Sequence, residues 1–571
     1  MPSSRGCQTC RIRRIKCDQT HPICQRCQTA HRTCHGLSTS PIIHHENPYA
    51  SGQRKRPRGP RSSVSSRPRA ARTSSTDTST NTTTIVYPQP QPSLHSQAIA
   101  LYLHQHTPSS PSPPYANRGS DDFISSLTET YLPTLTLSSS PSLSTYQFIN
   151  STLLEKALTP LALAYFARAQ NCPSARTEAA RAYSAVLREA RSIFASMSLA
   201  TGARIDGIGI DVLLLMIFFM SRYEDTVHPR SVSLRFRGGA GNPRGSGNGS
   251  PKGLRSGMLA SCAHQDGAVA VLRVWVDACR CRGGHIGSGG IPSEVVKLTR
   301  RAVMRSALMR GMMLPEWMHS GEVFGEATGG VEERLDALAV RVVELRGRSV
   351  APGFRVADGA GAGSAQTSCE ERWIGAAAAA KRVYSEGNRV RSALEAWKGE
   401  VDWIQREMVA AKEKVYYFPT LAQAVLWCHY LTLAMLSESV CLRVLKFVKH
   451  EIAGSGAAGW CDHLAARDLA AAHEVDLKTL ARQLMASVPF VLGQVHITEN
   501  AAWGVRNATW DKTLPPSPYR ASLLVWPLTV ASGIDRLEEQ QRWFKAQLGY
   551  LGRVTGVGVL ECAEGEEWLT F

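Results

Sequence analysis

Six cysteines fall within the first 34 residues: Cys7, Cys10, Cys17, Cys24, Cys27 and Cys34. Their spacing is C-x2-C-x6-C-x6-C-x2-C-x6-C, so the second triplet repeats the first. A C-x2-C pair lets two thiolates grip one metal from a tight turn, and tetrahedral zinc–thiolate sites are built from such pairs. Two separate four-ligand sites would need eight thiolates. Six suffice for two zinc ions when two cysteines serve both metals, which predicts a binuclear cluster. Three disulfides are the competing use of six cysteines, but they need an oxidising compartment. The opening MPSSRGCQTC holds no apolar stretch that could act as a secretory signal, so zinc is the expectation. The remaining nine cysteines, from Cys172 to Cys562, are scattered and read as buried or incidental thiols.

Between Cys10 and Cys17 lies Arg11-Ile12-Arg13-Arg14-Ile15-Lys16, and Arg5 precedes the cluster. A short helix pinned at both ends by metal would gather this charge on one side, ready for a phosphate backbone or a groove. His21, His31 and His35 flank the cysteines and are expected at the surface, because no seventh ligand is required.

Residues 5–36 resemble the DNA-binding module of fungal binuclear zinc cluster transcription factors. The residues that carry the likeness are Cys7, Cys10, Arg11, Arg13, Arg14, Lys16, Cys17 and Asp18, with Pro22 two positions before Cys24. The resemblance implies that Cys7 and Cys24 bridge the two metals. It implies that Cys10 and Cys17 complete one site and Cys27 and Cys34 the other. It further implies that Arg14, where the family usually has lysine, reads a CGG-like triplet in the major groove of double-stranded DNA. Arginine is the commoner bidentate partner of guanine. Arg11, Arg13 and Lys16 would then mostly hold phosphates, which fix register without reading sequence, and Arg5 is a further DNA-binding candidate.

Charge agrees with that partner. The chain carries 65 Lys+Arg against 47 Asp+Glu, a net +18. Residues 1–75 hold 15 of those cations and 2 acids, and residues 226–261 hold 6 cations and no acid. The remainder is close to neutral, so attraction for a polyanion is concentrated near the N-terminus.

The organisation expected is a small irregular zinc module at 1–36, a linker at 37–118 and a large all-α region at 119–571. The linker is dominated by Ser, Thr, Pro and Gln and lacks the apolar content to offset chain entropy, so it reads as disordered. Its basic run Arg54-Lys55-Arg56-Pro57-Arg58, with Arg61, suits a nuclear import signal. No sustained heptad pattern occurs between Leu37 and Asp121, which leaves monomeric binding or homodimerisation through the C-terminal domain open.

Beyond Asp121 the apolar spacing is helical. Leu153, Leu158, Leu161 and Leu163 lead one segment; Leu335, Leu338, Val342 and Leu345 share a face of another. A helix-rich composition runs from Ala376 to Lys414. The apolar stretches Val212–Met220 and Leu421–Ser437 read as buried helices, and no membrane segment is expected. Residues 226–261, rich in glycine, arginine and serine, read as a disordered insertion, with a retained intron and an RGG-like nucleic-acid segment as rivals. A Gly-rich patch at 358–364 reads as a loop.

This region loosely resembles the fungal-specific transcription factor regulatory domain. The matching pieces are Tyr131-Leu132-Pro133, His264 with Gly267-Ala268 and Leu272, Ser487-Val488-Pro489-Phe490, Trp526-Pro527-Leu528, and Arg542-Trp543. No phosphate loop, His-Glu-x2-His site or Gly-x-Ser-x-Gly elbow occurs, so an enzyme is not expected. The sequence therefore points to a zinc-dependent, nuclear regulator of RNA polymerase II transcription that meets DNA and the transcription machinery. Two rivals stand beside it: a helical small-molecule sensor, and a zinc-dependent nucleic-acid or chromatin binder without sequence reading.

Overall fold

The computed structural model describes residues 7, 9–10, 13, 15, 17–18, 20, 23–34, 92–107, 145–197, 204–205, 208–227, 253–281, 292–319, 323–324, 330–350, 369–401, 406–410, 413–449, 463–500, 505–565 and 568–569. The chain divides into two units, Met1–Pro88 and Gln89–Phe571. In the first, the described residues hold one short helix, α1 (Gln25–Thr29), beside the clustered cysteines.

The second unit is a stack of helices around one large core. It opens with α2 (Leu94–His106), whose first turn is capped by Ser93: the hydroxyl accepts the Ser96 N–H at 3.1 Å. Ala98, Tyr102 and His106, four residues apart, form its buried face against α3 (Thr145–Ala169). This helix lies inside the segment expected to be disordered, so the expectation fails for Leu94–His106; the rest of 37–91 and 108–118 lies outside the described residues. Its apolar residues run together from Ala98 to Leu103, and the four-residue spacing of the buried face is legible only against the α3 surface it covers.

Leu153, Leu158, Leu161 and Leu163 of α3 are all buried. Asn171, at φ 49°, turns the chain into α4 (Pro173–Met197), and proline at the start of that helix costs no internal hydrogen bond. α3 also packs on α5 (Ile210–Val227), which is apolar nearly all round and buried along its length. A two-residue hairpin of β1 (Arg204–Ile205) and β2 (Ile208–Gly209) precedes α5.

α6 (Gly253–Cys281) packs against α5 and α7 (Glu294–Arg310). Residues 226–227 thus end one helix and 253–261 begin another, so the disordered insertion expected at 226–261 is too wide; 228–252 lie outside the described residues. The boundary error came from glycine content at 253–257, which α6 tolerates in its opening turn. α7 is closed at both ends by local chemistry, with Ser293 capping Val296 N–H and Gly311 at φ 64°.

α8 (Val331–Val350) and α9 (Cys369–Glu400) flank α10 (Leu421–Phe447), which also meets α11 (His463–Val491). α10 is long and apolar enough to cross a membrane by length and composition, and 78% of its most apolar stretch is buried by neighbouring helices. α9 stops at Glu400. The expected continuation to Lys414 is instead a hairpin of β3 (Arg406–Ala410) and β4 (Glu413–Tyr417), registered Arg406↔Tyr417. Another hairpin, β5 (Val495–Asn500) and β6 (Val505–Trp510), is registered Val495↔Trp510. The all-α expectation is corrected by these three hairpins. Val415, Tyr417 and Val495 bury against Phe490, Ile497 and Trp510 in a satellite cluster, and that packing outweighs the helix propensity of the surrounding Glu and Lys. α12 (Pro518–Leu523), α13 (Val525–Gly533) and α14 (Glu538–Thr555) complete the unit.

A buried polar network ties three helices. Glu438 of α10 accepts hydrogen bonds from Arg391 of α9 and from His473 of α11. His473 Nε2 lies 3.2 Å from the Tyr384 hydroxyl of α9, and Arg391 also reaches Asp476 at 3.0 Å. Glu438 and His473 side chains are 6% and 3% exposed, so each polar group depends on its hydrogen-bond partners.

Of the pieces that carried the C-terminal resemblance, His264 lies on α6, Ser487–Phe490 on α11, Trp526–Leu528 on α13 and Arg542–Trp543 on α14. His264 meets Glu224 at 3.2 Å and the Tyr183 hydroxyl at 3.1 Å, joining α4, α5 and α6. Tyr131–Pro133, the basic run at 54–61 and the patch at 358–364 lie outside the described residues.

Candidate metal centre

Cys7, Cys10, Cys24 and Cys27 are buried to 1% exposure or less, and Cys17 and Cys34 are half-buried. No disulfide joins any of the six. Two groups of four are close enough to hold an ion each, Cys7, Cys10, Cys17 and Cys24 in one and Cys7, Cys24, Cys27 and Cys34 in the other. Within each group every sulfur lies within 4.8 Å of the others. Cys7 and Cys24 belong to both.

The distances suit zinc. Cys7 and Cys24 sulfurs are 3.6 Å apart, Cys7 and Cys27 3.7 Å, and Cys10 and Cys24 3.7 Å. A tetrahedral zinc with sulfurs at about 2.3 Å sets those sulfurs about 3.8 Å from one another. A disulfide would need about 2.05 Å.

Backbone geometry repeats with the sequence. The Cys10 N–H donates to Cys7 Sγ, and the Cys27 N–H donates to Cys24 Sγ, both at 3.4 Å. Each shared cysteine thus accepts the amide of its own C-x2-C partner, the turn geometry that the two-residue spacing requires. Without a cation the site resists ionisation: burial pushes the Cys7 thiol up to about 12, against the lowering effect of the Cys10 N–H. Burial raises Cys10 and Cys24 as well. A bound zinc ion deprotonates a coordinating thiol outright, and its charge replaces the solvation these sulfurs have lost.

The scaffold around the sulfurs is held by side chains. Asp18 Oδ2 accepts the Gln25 N–H at 2.9 Å and Oδ1 accepts the Arg26 N–H at 3.3 Å, capping α1. The Thr20 hydroxyl, donating to Asp18 at 2.6 Å, and the Gln25 N–H hold that carboxyl well below the usual range. Thr9 Oγ1 donates to the Thr33 carbonyl at 2.9 Å, joining the two ends of the module. His31 is exposed, as expected, and its φ of 46° turns the chain back toward Cys34.

Between Cys10 and Cys17 the described residues begin a helical turn: Arg13 N–H donates to Thr9 O at 3.2 Å and Ile15 N–H to Cys10 O at 3.0 Å. Arg13 is exposed, and so are Arg26 and Arg32, two cations that the motif reading passed over. Arg5, Arg11, Arg14, Lys16, His21, Pro22 and His35 lie outside the described residues. Asp18 was visible in the sequence as part of a pattern, but its capping role needed the position of α1.

The known proteins fit this geometry. Residues 5–41 match the model of the fungal Zn(2)-Cys(6) binuclear cluster domain. The N-terminus is a binuclear zinc cluster domain. Such a zinc cluster binds two zinc ions.

Among curated relatives, the aspercryptin biosynthesis cluster-specific transcription regulator of Emericella nidulans is 59% identical over 36 residues, 6% of each chain. Transcription factor lfc1 of Flammulina velutipes is 39% identical over 75 residues, 13% of this chain and 23% of its own. Transcriptional regulatory protein moc3 of Schizosaccharomyces pombe is 54% identical over 35 residues, 6% of this chain and 7% of its own. The matches therefore span less than a quarter of each relative. No solved structure matches the chain.

Proposed function

We propose that this chain is a sequence-specific, zinc-dependent DNA-binding regulator of RNA polymerase II transcription. All six cysteines are its metal ligands, with Cys7 and Cys24 bridging two zinc ions. The observation that carries the reading is the pair of four-thiol groups sharing Cys7 and Cys24. That arrangement fixes both ends of the basic loop between Cys10 and Cys17, and a rigid cationic loop of this size suits the major groove.

Arg14 reads a CGG-like triplet, bidentate to guanine, while Arg5, Arg11, Arg13 and Lys16 hold phosphates. The names of the similar proteins, all regulators of transcription, support the same reading. The basic run at 54–61 carries the protein into the nucleus. The helical unit, resembling a fungal-specific transcription factor regulatory domain, governs activity, contacts the transcription machinery and supplies the homodimer surface.

Selection of bound sequences from random duplex DNA by the full chain, repeated with Arg14→Gln, tests this. The expected outcome is a CGG-containing consensus whose preference drops about 5- to 150-fold at one base pair in the variant. Uniform weakening across sequences would instead favour a binder of nucleic acid or chromatin that reads no sequence.

A further inference from the structure

The last turn of α10 and the turn that follows it carry Arg443, Lys446 and Lys449 at three-residue intervals along one side. That side borders a cavity of about 320 Å³, closed by the opening turns of α11 and by the turn between α13 and α14. α11 contributes Arg467 to the wall, and the turn contributes Arg536. Leu442, Leu445 and Ala470 give it an apolar floor.

Two carboxylates share this wall with the five cations. Glu474 is paired with Arg536 at 3.1 Å. Asp535 favours the charge on Arg443, but that guanidinium is half-buried and burial outweighs it, lowering its pKa. Behind it lies Arg346, buried and donating to the Leu308 carbonyl at 2.7 Å. Burial and the nearby Arg443 charge bring Arg346 down to about 10. Two guanidinium groups thus lie near one another, and Asp535 acts on Arg443. Lys446 and Lys449 have no carboxylate partner among the described residues.

Cations at a helix C-terminus also answer the macrodipole and the last free carbonyls. That accounts for Lys446 and Lys449 alone. It does not account for Arg443, which sits further into the helix and half-buried, nor for arginines brought to the same wall by α11 and the α13–α14 turn. Excess positive charge around a partly desolvated concavity is the condition under which an anion gains most.

We infer that this cavity binds a small dianion bearing phosphate or carboxylate groups. Arg443 offers a planar fork, and Lys446 and Lys449 serve as point charges. The volume is at the small end for ligand sites, which suits a molecule of metabolite size. The inference is independent of the DNA reading, because it rests on the helical unit alone.

Isothermal titration of the zinc-loaded full chain with inorganic phosphate and with succinate, at constant ionic strength, tests it. The comparison is with Lys446→Gln/Lys449→Gln, at one exposed and one half-buried position. At least one anion should bind the unaltered chain and bind the variant about ten-fold more weakly, with an unchanged melting temperature. Binding of phosphate alone assigns a phosphate ligand, binding of succinate alone a carboxylate ligand, and binding of both a site for either dianion. If the double variant melts earlier, Arg467→Gln gives the same comparison from an exposed position. Failure of both anions to bind, or equal binding by chain and variants, overturns the inference.

Discussion

Cys7 and Cys24 lie 3.6 Å apart through their sulfurs, and each accepts the amide of the cysteine three residues on. They are 17 residues apart in the chain, in equivalent places of a repeated spacing. Both belong to each four-thiol group, whereas the other four cysteines belong to one group apiece. On the proposed reading, six ligands would serve two tetrahedral sites because these two are shared.

Replacing a shared ligand should cost more metal than replacing an unshared one. Cys24→Ser is expected to lose both zinc ions from the isolated chain. Cys34→Ser, at the half-buried edge of one group, is expected to retain one. Zinc per chain by plasma emission spectrometry, after dialysis against a mild chelator, gives the comparison; equal losses would count against sharing.

Asp18 holds α1 through two backbone amides and is itself held by Thr20. Asp18→Ala should speed zinc release to a chelator, since α1 carries Cys27. Asp18→Asn should restore most of the wild-type rate, because asparagine caps a helix about as well as aspartate. Stopped-flow release with a chromogenic chelator would read both. Identical rates in all three chains would remove the capping role.

His106 docks α2 on the helical core. It is buried, stacked on Tyr102 at 4.2 Å and set edge-on to Tyr165 at 4.8 Å, and its Nδ1 lies 2.9 Å from the Tyr102 carbonyl. Burial, with a smaller contribution from the Arg222 charge, holds its pKa down at about 4. The unfolded chain titrates near 6.5 and so takes up a proton that the folded chain refuses. Stability from this group is complete above pH 6.5 and falls as the pH drops toward 4. Between pH 7 and pH 5 the loss is about 2 kcal/mol. His106→Gln should flatten that part of the denaturation profile; an unchanged acid slope would contradict the burial argument.

The Glu438 carboxylate is the hinge of the Arg391–Glu438–His473 network. Glu438→Gln should destabilise the helical unit by about 3 kcal/mol, the low end for breaking a buried ion pair, because Arg391 keeps some water. Urea denaturation followed by circular dichroism measures it. A change under about 0.5 kcal/mol would mean that the network is not needed for packing.

Much of this was legible in the chain, for identifiable reasons. Cysteine spacing is a local quantity that zinc stereochemistry restricts severely, so the grouping of six thiols could be anticipated from residues 7–34. Leu153 to Leu163 and the apolar run from Leu421 announce buried helices because a 3.6-residue period persists over several turns. Five-residue strands such as Arg406–Ala410 give no such persistence. Their pairing depends on Val415, Tyr417 and Val495 meeting Phe490 and Trp510 across long sequence separations. α2 was missed for the same reason, because Ala98, Tyr102 and His106 make sense only once Tyr165 is beside them. Asp18 and Thr20 are polar residues whose partners are backbone amides, and no side-chain pattern records those. Of the cations expected to meet DNA, Arg13 is placed, exposed, at the start of the loop.

X-ray absorption at the zinc edge of the metal-loaded chain tests the shared-ligand cluster most directly. The account predicts two zinc ions per chain, each with four sulfurs at about 2.3 Å, and a zinc–zinc scattering peak that only bridging sulfurs can produce. A single zinc per chain, or two with oxygen or nitrogen in the first shell and no zinc–zinc peak, would contradict it.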